Sequence, residues 1–174
     1  MNKNNRIASE KVEMEDQNYS AKEYFNRGVA NYKQGNLSQA ISDYTKAIKI
    51  NPSYANVYRK RGYAYYIQGK LARAISDYTK AIEIHPNVAE GYCDRGHAYG
   101  EKGKLAHAIS DYTKAIEINP SYADVYYWRG IVYYKKNEHS KAWTDMCKAK
   151  ELGYPANLKL FAKLMKISEK DRRN

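Results

Sequence analysis

Residues 40–48 read AISDYTKAI, and the same nine letters return at 74–82 and at 108–116. Each copy begins 34 residues after the one before, and a worn fourth, AWTDMCKAK, follows at 142–150. An identical stretch at one fixed period means that a single structural unit is stacked, each copy burying an apolar face that it cannot cover alone. The stretch itself is rich in Ala, Ile and Lys and lacks the strict alternation of a strand, so it reads as helix.

Working outward from the nine letters, the flanks repeat as well. Upstream stand Gly35, Gly69, Gly103 and then Asn137, residues that tolerate the left-handed conformation with which many helices end. Leu37, Leu71 and Leu105 restart an apolar helical pattern immediately after them. Downstream, Asn51-Pro52, His85-Pro86 and Asn119-Pro120 stop it, because proline cannot continue a helix and biases its predecessor away from one. The fourth copy closes on Gly153-Tyr154-Pro155 instead. The prediction is four units, 21–54, 55–88, 89–122 and 123–156, each of two antiparallel helices joined by a short turn. Ser20, with Glu23 placed for a capping box, suits the start of the first helix. Small residues recur in the first helices (Gly28, Gly62, Gly96, Gly130) and in the second (Ala40, Ala74, Ala108, Ala142), which lets the paired helices approach closely. Tyr44, Tyr78 and Tyr112 are expected to project toward the following unit.

The recurring set Tyr24, Gly28, Ala40, Tyr44, Ala47 and Pro52 resembles the tetratricopeptide repeat family. It returns as Tyr58, Gly62, Tyr65, Ala74, Tyr78, Ala81 and Pro86, and as Tyr92, Gly96, Tyr99, Ala108, Tyr112, Ala115 and Pro120. The fourth set is Tyr126, Gly130, Tyr133, Ala142 and Ala149, with Met146 in place of the aromatic. Asn31 departs from the pattern where the family prefers an aromatic. The resemblance implies an all-α fold, a right-handed superhelical solenoid whose first helices line a concave groove for peptides or partner proteins. Chaperone-binding members hold a C-terminal carboxylate in a Lys/Asn/Arg clamp. The matching positions here are Phe25, Val29, Lys60, Glu90 and Asp94, or, one unit on, Arg59, Tyr63, Asp94, Asp124 and Trp128. Neither set makes that clamp.

The ends read differently. Residues 1–20 are polar and charged and are expected to be disordered. In the segment 157–168, NLKLFAKLMKIS, Leu158, Phe161, Leu164 and Met165 fall on one helical face, opposite Lys159, Lys163 and Lys166. This is expected to be a capping helix that covers the last unit, followed by a frayed tail over 169–174.

The net charge of +11 is uneven: +7 over residues 21–88, −1 over 89–122 and +4 over 157–174. A basic balance points to acidic partners, nucleic acid among them. Cys93 and Cys147 stand at unequal positions of different units and do not read as a disulfide framework, which suits a reducing compartment. The first residues show no secretory signal, and no apolar run reaches membrane-spanning length, so the expected location is cytoplasmic.

Two constellations carry possible chemistry. Arg27, Arg61, Arg95 and Arg129 each precede a seam glycine, and Asp43, Asp77, Asp111 and Asp145 each follow 16 residues later. Four matched pairs predict a ladder of structural ion pairs between first and second helices, since buried charges are normally paired. Whether each pair joins helices of one unit or of neighbours stays open. Cys93 and His97, four apart beside Glu90 and Glu101, are the one metal or nucleophile candidate. They lack a second Cys/His pair and an orienting third group. No Gly-rich phosphate loop appears. No catalytic residue, metal or cofactor is therefore expected.

The groove is expected to present Lys22, Asn26 and Tyr32 from the first unit and Asn56, Arg59, Lys60, Tyr63 and Tyr66 from the second. The third offers Glu90, Cys93, Asp94, His97 and Glu101, and the fourth Asp124, Tyr127, Trp128 and Tyr134. The leading reading is a non-catalytic protein–protein interaction module that holds a partner segment. The alternative is a nucleic-acid-binding helical repeat using the basic surface, although most tyrosines fall at core positions and the third unit turns the groove acidic.

Overall fold

A computed structural model describes residues 19–155 and Ile167. The polar segment over residues 1–18, the expected capping helix over 157–168 and the tail beyond it otherwise lie outside the described residues. Among those described there are eight helices and no strand: α1 Ala21–Lys33, α2 Leu37–Ile50, α3 Ala55–Ile67, α4 Leu71–Ile84, α5 Ala89–Glu101, α6 Leu105–Ile118, α7 Ala123–Lys135 and α8 His139–Glu151.

Local sequence sets the boundaries. Ser20 and Glu23 close a capping box on α1: Glu23 N–H donates to Ser20 Oγ at 3.3 Å and Ser20 N–H to Glu23 Oε2 at 2.7 Å. The first helix of each pair stops where the chain turns left-handed, at Gly35 (φ 80°), Gly69 (71°), Gly103 (76°) and Asn137 (60°). After α2 and α6 the side chains of Asn51 and Asn119 accept from the backbone N–H of Ser53 and Ser121, both at 3.1 Å, turning the chain before the next pair.

Each pair packs along its length, α1 on α2 through α7 on α8, and each second helix packs on the first helix of the next pair. The first helices also touch one another along the array, whereas among the described residues no contact joins one second helix to another. The stack therefore curves with α1, α3, α5 and α7 on its inner side.

The seam inside each of the first three pairs is a tyrosine ring laid on a glycine, and in the fourth Met146 takes the ring's place over Gly130. A Cβ on Gly28, Gly62 or Gly96 would stand 2.6, 2.9 or 2.8 Å from Cε1 of Tyr44, Tyr78 or Tyr112. No side chain larger than hydrogen fits there, which is the packing reason for glycine in mid-helix. The expected projection of these rings toward the next unit is thus only half of their role. Tyr44 does share a core cluster with Val57 of the next pair, but its ring rests on its own pair's glycine.

Candidate functional site

The arginine ladder holds the inner helices in place. Arg61 Nε and Nη2 donate to the two carboxylate oxygens of Asp77, both at 2.8 Å, and Arg95 does the same to Asp111 at the same distances. Arg129 meets Asp145 at 2.7 and 2.8 Å. Every bridge joins the two helices of one pair. The third guanidinium nitrogen reaches across the joint: Nη1 of Arg61, Arg95 and Arg129 donates to Oγ1 of Thr45, Thr79 and Thr113 in the preceding pair, at 3.0, 3.1 and 3.0 Å. Two tyrosine rings flank each of these arginines, Tyr58 and Tyr65 beside Arg61, Tyr92 and Tyr99 beside Arg95, and Tyr126 and Tyr133 beside Arg129.

The first pair solves the same problem differently. Arg27 places both Nε and Nη2 on Asp43 Oδ1, at 3.1 and 2.7 Å, and Asn31 Nδ2 donates to Oδ2 at 2.8 Å. Asn31 stands where the other pairs have Tyr65, Tyr99 and Tyr133, so its departure from the repeat is a hydrogen bond to the buried carboxylate. Burial pulls the Arg61 pKa down and the hydrogen bond and charge of Asp77 more than offset it, so the guanidinium stays charged. These arginines are engaged as ligands of aspartate and are not arrayed for phosphate.

The inner face carries contacts from first helix to first helix. Tyr32 on α1 meets Tyr63 on α3 at 5.7 Å between ring centres, and Tyr63 stacks on Tyr66 at 6.3 Å. Arg59 Nη1 on α3 reaches Asp94 Oδ2 on α5 at 3.1 Å. His97 on α5 meets the edge of Trp128 on α7 at 5.0 Å, and Tyr127 sets its ring edge to Trp128 at 5.3 Å. Lys22, Asn26, Asn56, Glu90, Glu101 and Asp124 are exposed, together with Tyr63 at 39% and Trp128 at 37%. Tyr32, Lys60, Tyr66, Tyr127 and Tyr134 are half-buried, as are Arg59, Asp94 and His97.

Two expectations change here. Cys93 is 3% exposed and does not line the groove; it sits in a core cluster against which Tyr122, from the turn after α6, packs. Burial pushes its thiol up to about 12 and lowers His97 to about 4, so both are neutral near pH 7 although Sγ and Nδ1 stand 4.0 Å apart. A thiolate–imidazolium pair does not form. Arg59 and Asp94, expected as separate groove residues of the second and third units, neutralise each other across the joint. Among the described residues no three His, Cys, Asp or Glu side chains converge as a metal site requires, and no helix is long and apolar enough to cross a membrane.

Sequence reasoning missed the turn tyrosines. Tyr54 packs on Phe25 at 5.3 Å and Tyr154 stacks on Tyr127 at 4.4 Å, each folding over the first helix of the pair before it. For Tyr54 the signal was a tyrosine closing the first and third 34-residue periods, at 54 and 122; Tyr154 falls outside that register.

The family profile described as TPR repeat matches residues 28–69, 62–103 and 96–137. The crystal structure of MamA protein superposes with a TM-score of 0.72 at 30% identity, over 76% of this chain and 72% of that one. The first TPR of Spaghetti (RPAP3), solved bound to the HSP90 peptide SRMEEVD, gives 0.64 at 28% identity, over 66% of this chain and 93% of that one. MamA 41-end from Desulfovibrio magneticus RS-1 gives 0.74 at 19% identity, over 81% and 80%, a likeness of fold alone. No curated protein sequence matches the chain. Three overlapping profile matches span the Gly–Tyr seams and the Arg61–Asp77 and Arg95–Asp111 bridges described above, and the chain belongs to the TPR repeat family.

Proposed function

We propose that the chain is a non-catalytic scaffold that holds an extended or helical segment of a partner protein against the inner faces of α1, α3, α5 and α7. The observation that carries this reading is the run of aromatic side chains on that face, from Tyr32, Tyr63 and Tyr66 to Tyr127 and Trp128, with Tyr63 and Trp128 exposed. Large amphipathic rings of this kind supply most of the affinity in protein interfaces. The peptide held by the RPAP3 structure supports the same use of the fold, without carrying its ligand over.

The charge that remains gives the segment a direction. Lys22 and Lys60 lie toward one end, Glu90, Glu101 and Asp124 toward the other, and Arg59 and Asp94 cancel between them. The ligand is a segment with an acidic part over α1 and α3 and a basic part over α5 and α7, its charges setting orientation and association rate. Four units over residues 21–156 frame that groove. The cysteine usage favours the cytoplasm. Titration of peptides selected from a displayed library, beside a random RNA pool, tests the reading. Saturable peptide binding with a modest salt slope is the expected result. RNA binding that is tighter and falls steeply with salt would replace it with the nucleic-acid reading.

A further inference from the structure

The joint between α3/α4 and α5 differs from its neighbours, and the repeat supplies its own template for what is missing. At the first joint Tyr54 packs over Phe25, and at the third Tyr122 packs against the core cluster that contains Cys93. The residue at the tyrosine's place in the second joint is Val88, and the residue at the place of Phe25 and Cys93 is Arg59. A cleft of about 210 Å³ opens there, lined by Ala55, Arg59, Ile82, His85, Val88 and Gly91 among others. Gly91 replaces a valine that is fully buried at the other two joints, Val57 and Val125. Ile82 has taken up that space, since a Cβ on Gly91 would stand 3.1 Å from Ile82 Cγ1. The tyrosine's place is not taken up: Val88 is 39% exposed, and the cleft lies beside the Arg59 side chain.

We infer that this cleft is a specificity pocket for a tyrosine side chain of the partner segment, which docks over Arg59 as Tyr54 docks over Phe25. The inference rests on the groove reading above and adds the residue that the partner must carry. The chemistry of the lining fits. Ala55, Ile82, Val88 and Gly91 offer an apolar slot, and the guanidinium of Arg59 offers a cation for the ring face. Asp94 holds one nitrogen of that guanidinium from the α5 side at 3.1 Å, restraining it before any ligand arrives. Residues 1–18 and 155–174 contain no tyrosine and so do not supply the ring.

N-acetyltyrosinamide, titrated into the isotope-labelled protein and followed by backbone amide shifts, tests this without any partner. The expected result is saturable shifts at Ala55, Arg59, Ile82 and Gly91 with a dissociation constant on the order of 1 mM, as befits so small a ligand. N-acetylleucinamide is expected to bind at least about fivefold more weakly, having no ring for the cation. Val88→Tyr fills the cleft with the chain's own residue and is expected to weaken the tyrosine probe at least about tenfold. Arg59→Met, which leaves the slot open, is expected to cost several-fold for the tyrosine probe alone. Shifts scattered over the surface, equal binding of the leucine probe, or unchanged binding to both variants would overturn the pocket and leave the groove reading standing. A wild-type dimer that Val88→Tyr dissolves would overturn the assignment to a partner, since the tyrosine would then come from a second copy.

Discussion

Arg95 Nη1 donates to Thr79 Oγ1 at 3.1 Å, tying α5 to the helix of the preceding pair, while its other nitrogens hold Asp111 within its own pair. This one guanidinium accounts for two letters of the repeated stretch. Aspartate closes the bridge within the pair, and threonine receives the arginine of the next pair. The tyrosine between them lies on the seam glycine. Three consecutive residues thus build the pair, the seam and the joint, and the stretch recurs unchanged in the three pairs that have a following pair to hold.

Removing the aspartate leaves a half-buried guanidinium without its counter-charge. Asp111→Ala is expected to cost about 3–5 kcal/mol. Thr79→Val deletes only the bond across the joint and is expected to cost about 1 kcal/mol. Lys114, in an exposed pair with Glu117, is expected to change stability far less than either when replaced by Ala. Urea unfolding of the three variants checks the order, and equal losses for Asp111 and Lys114 would refute the ladder.

The seam glycines differ in what they face. Gly96→Ala places a methyl 2.8 Å from the buried ring of Tyr112, which has no free direction in which to move. Gly130→Ala meets Ala142 O and the flexible Met146 side chain, all at 3.3 Å. Each gains about 1 kcal/mol in helix propensity. Gly96→Ala is expected to be net destabilising by about 1–2 kcal/mol, and Gly130→Ala to lie within about 1 kcal/mol of neutral. Thermal melts of both variants decide it.

Burial lowers the His97 pKa from 6.5 to about 4. Between those values the unfolded chain takes up a proton that the folded chain excludes, so this group's contribution is present above pH 6.5 and is lost as the pH falls toward 4. The loss amounts to about 2 kcal/mol by pH 4.5. His97→Phe removes the titration and keeps a ring against Trp128 and Tyr112. The stability difference between wild type and variant is expected to shift by about that amount between pH 7 and pH 4.5. An unchanged difference would show that His97 is solvated.

The two cysteines are expected to part company under a thiol reagent. Cys147 is partly exposed and is expected to react first. Cys93 is buried, its thiol pushed up to about 12, and is expected to react only as the protein unfolds. Peptide mapping after partial labelling reads this directly, and early modification of Cys93 would place it on the groove surface after all.

The helices were legible because their signals are local: a left-handed Gly or Asn ends each first helix, and a proline follows each second helix up to Pro120. The Arg–Asp match was legible because it recurs with one spacing. Which helices it joins was not, since a period of 34 residues looks alike within and between pairs. The groove was legible only as a stripe. Cys93 falls on that stripe, but Tyr122 arrives from a distant turn and covers it, and nothing in the helix's own sequence records that cover. The Arg59–Asp94 bridge is hidden for the same reason: it joins two first helices whose separation depends on the seams and ladder behind them.

Calorimetric titration of a library-selected peptide against wild type and Trp128→Ala reads whether the inner face binds a protein segment through its aromatic side chains. Trp128→Ala is expected to lose at least about 2 kcal/mol, roughly thirtyfold in dissociation constant. Lys80→Ala, at an exposed residue of a second helix, is expected to change nothing. Unchanged affinity on removing Trp128, with the peptide still bound, would contradict binding through those side chains.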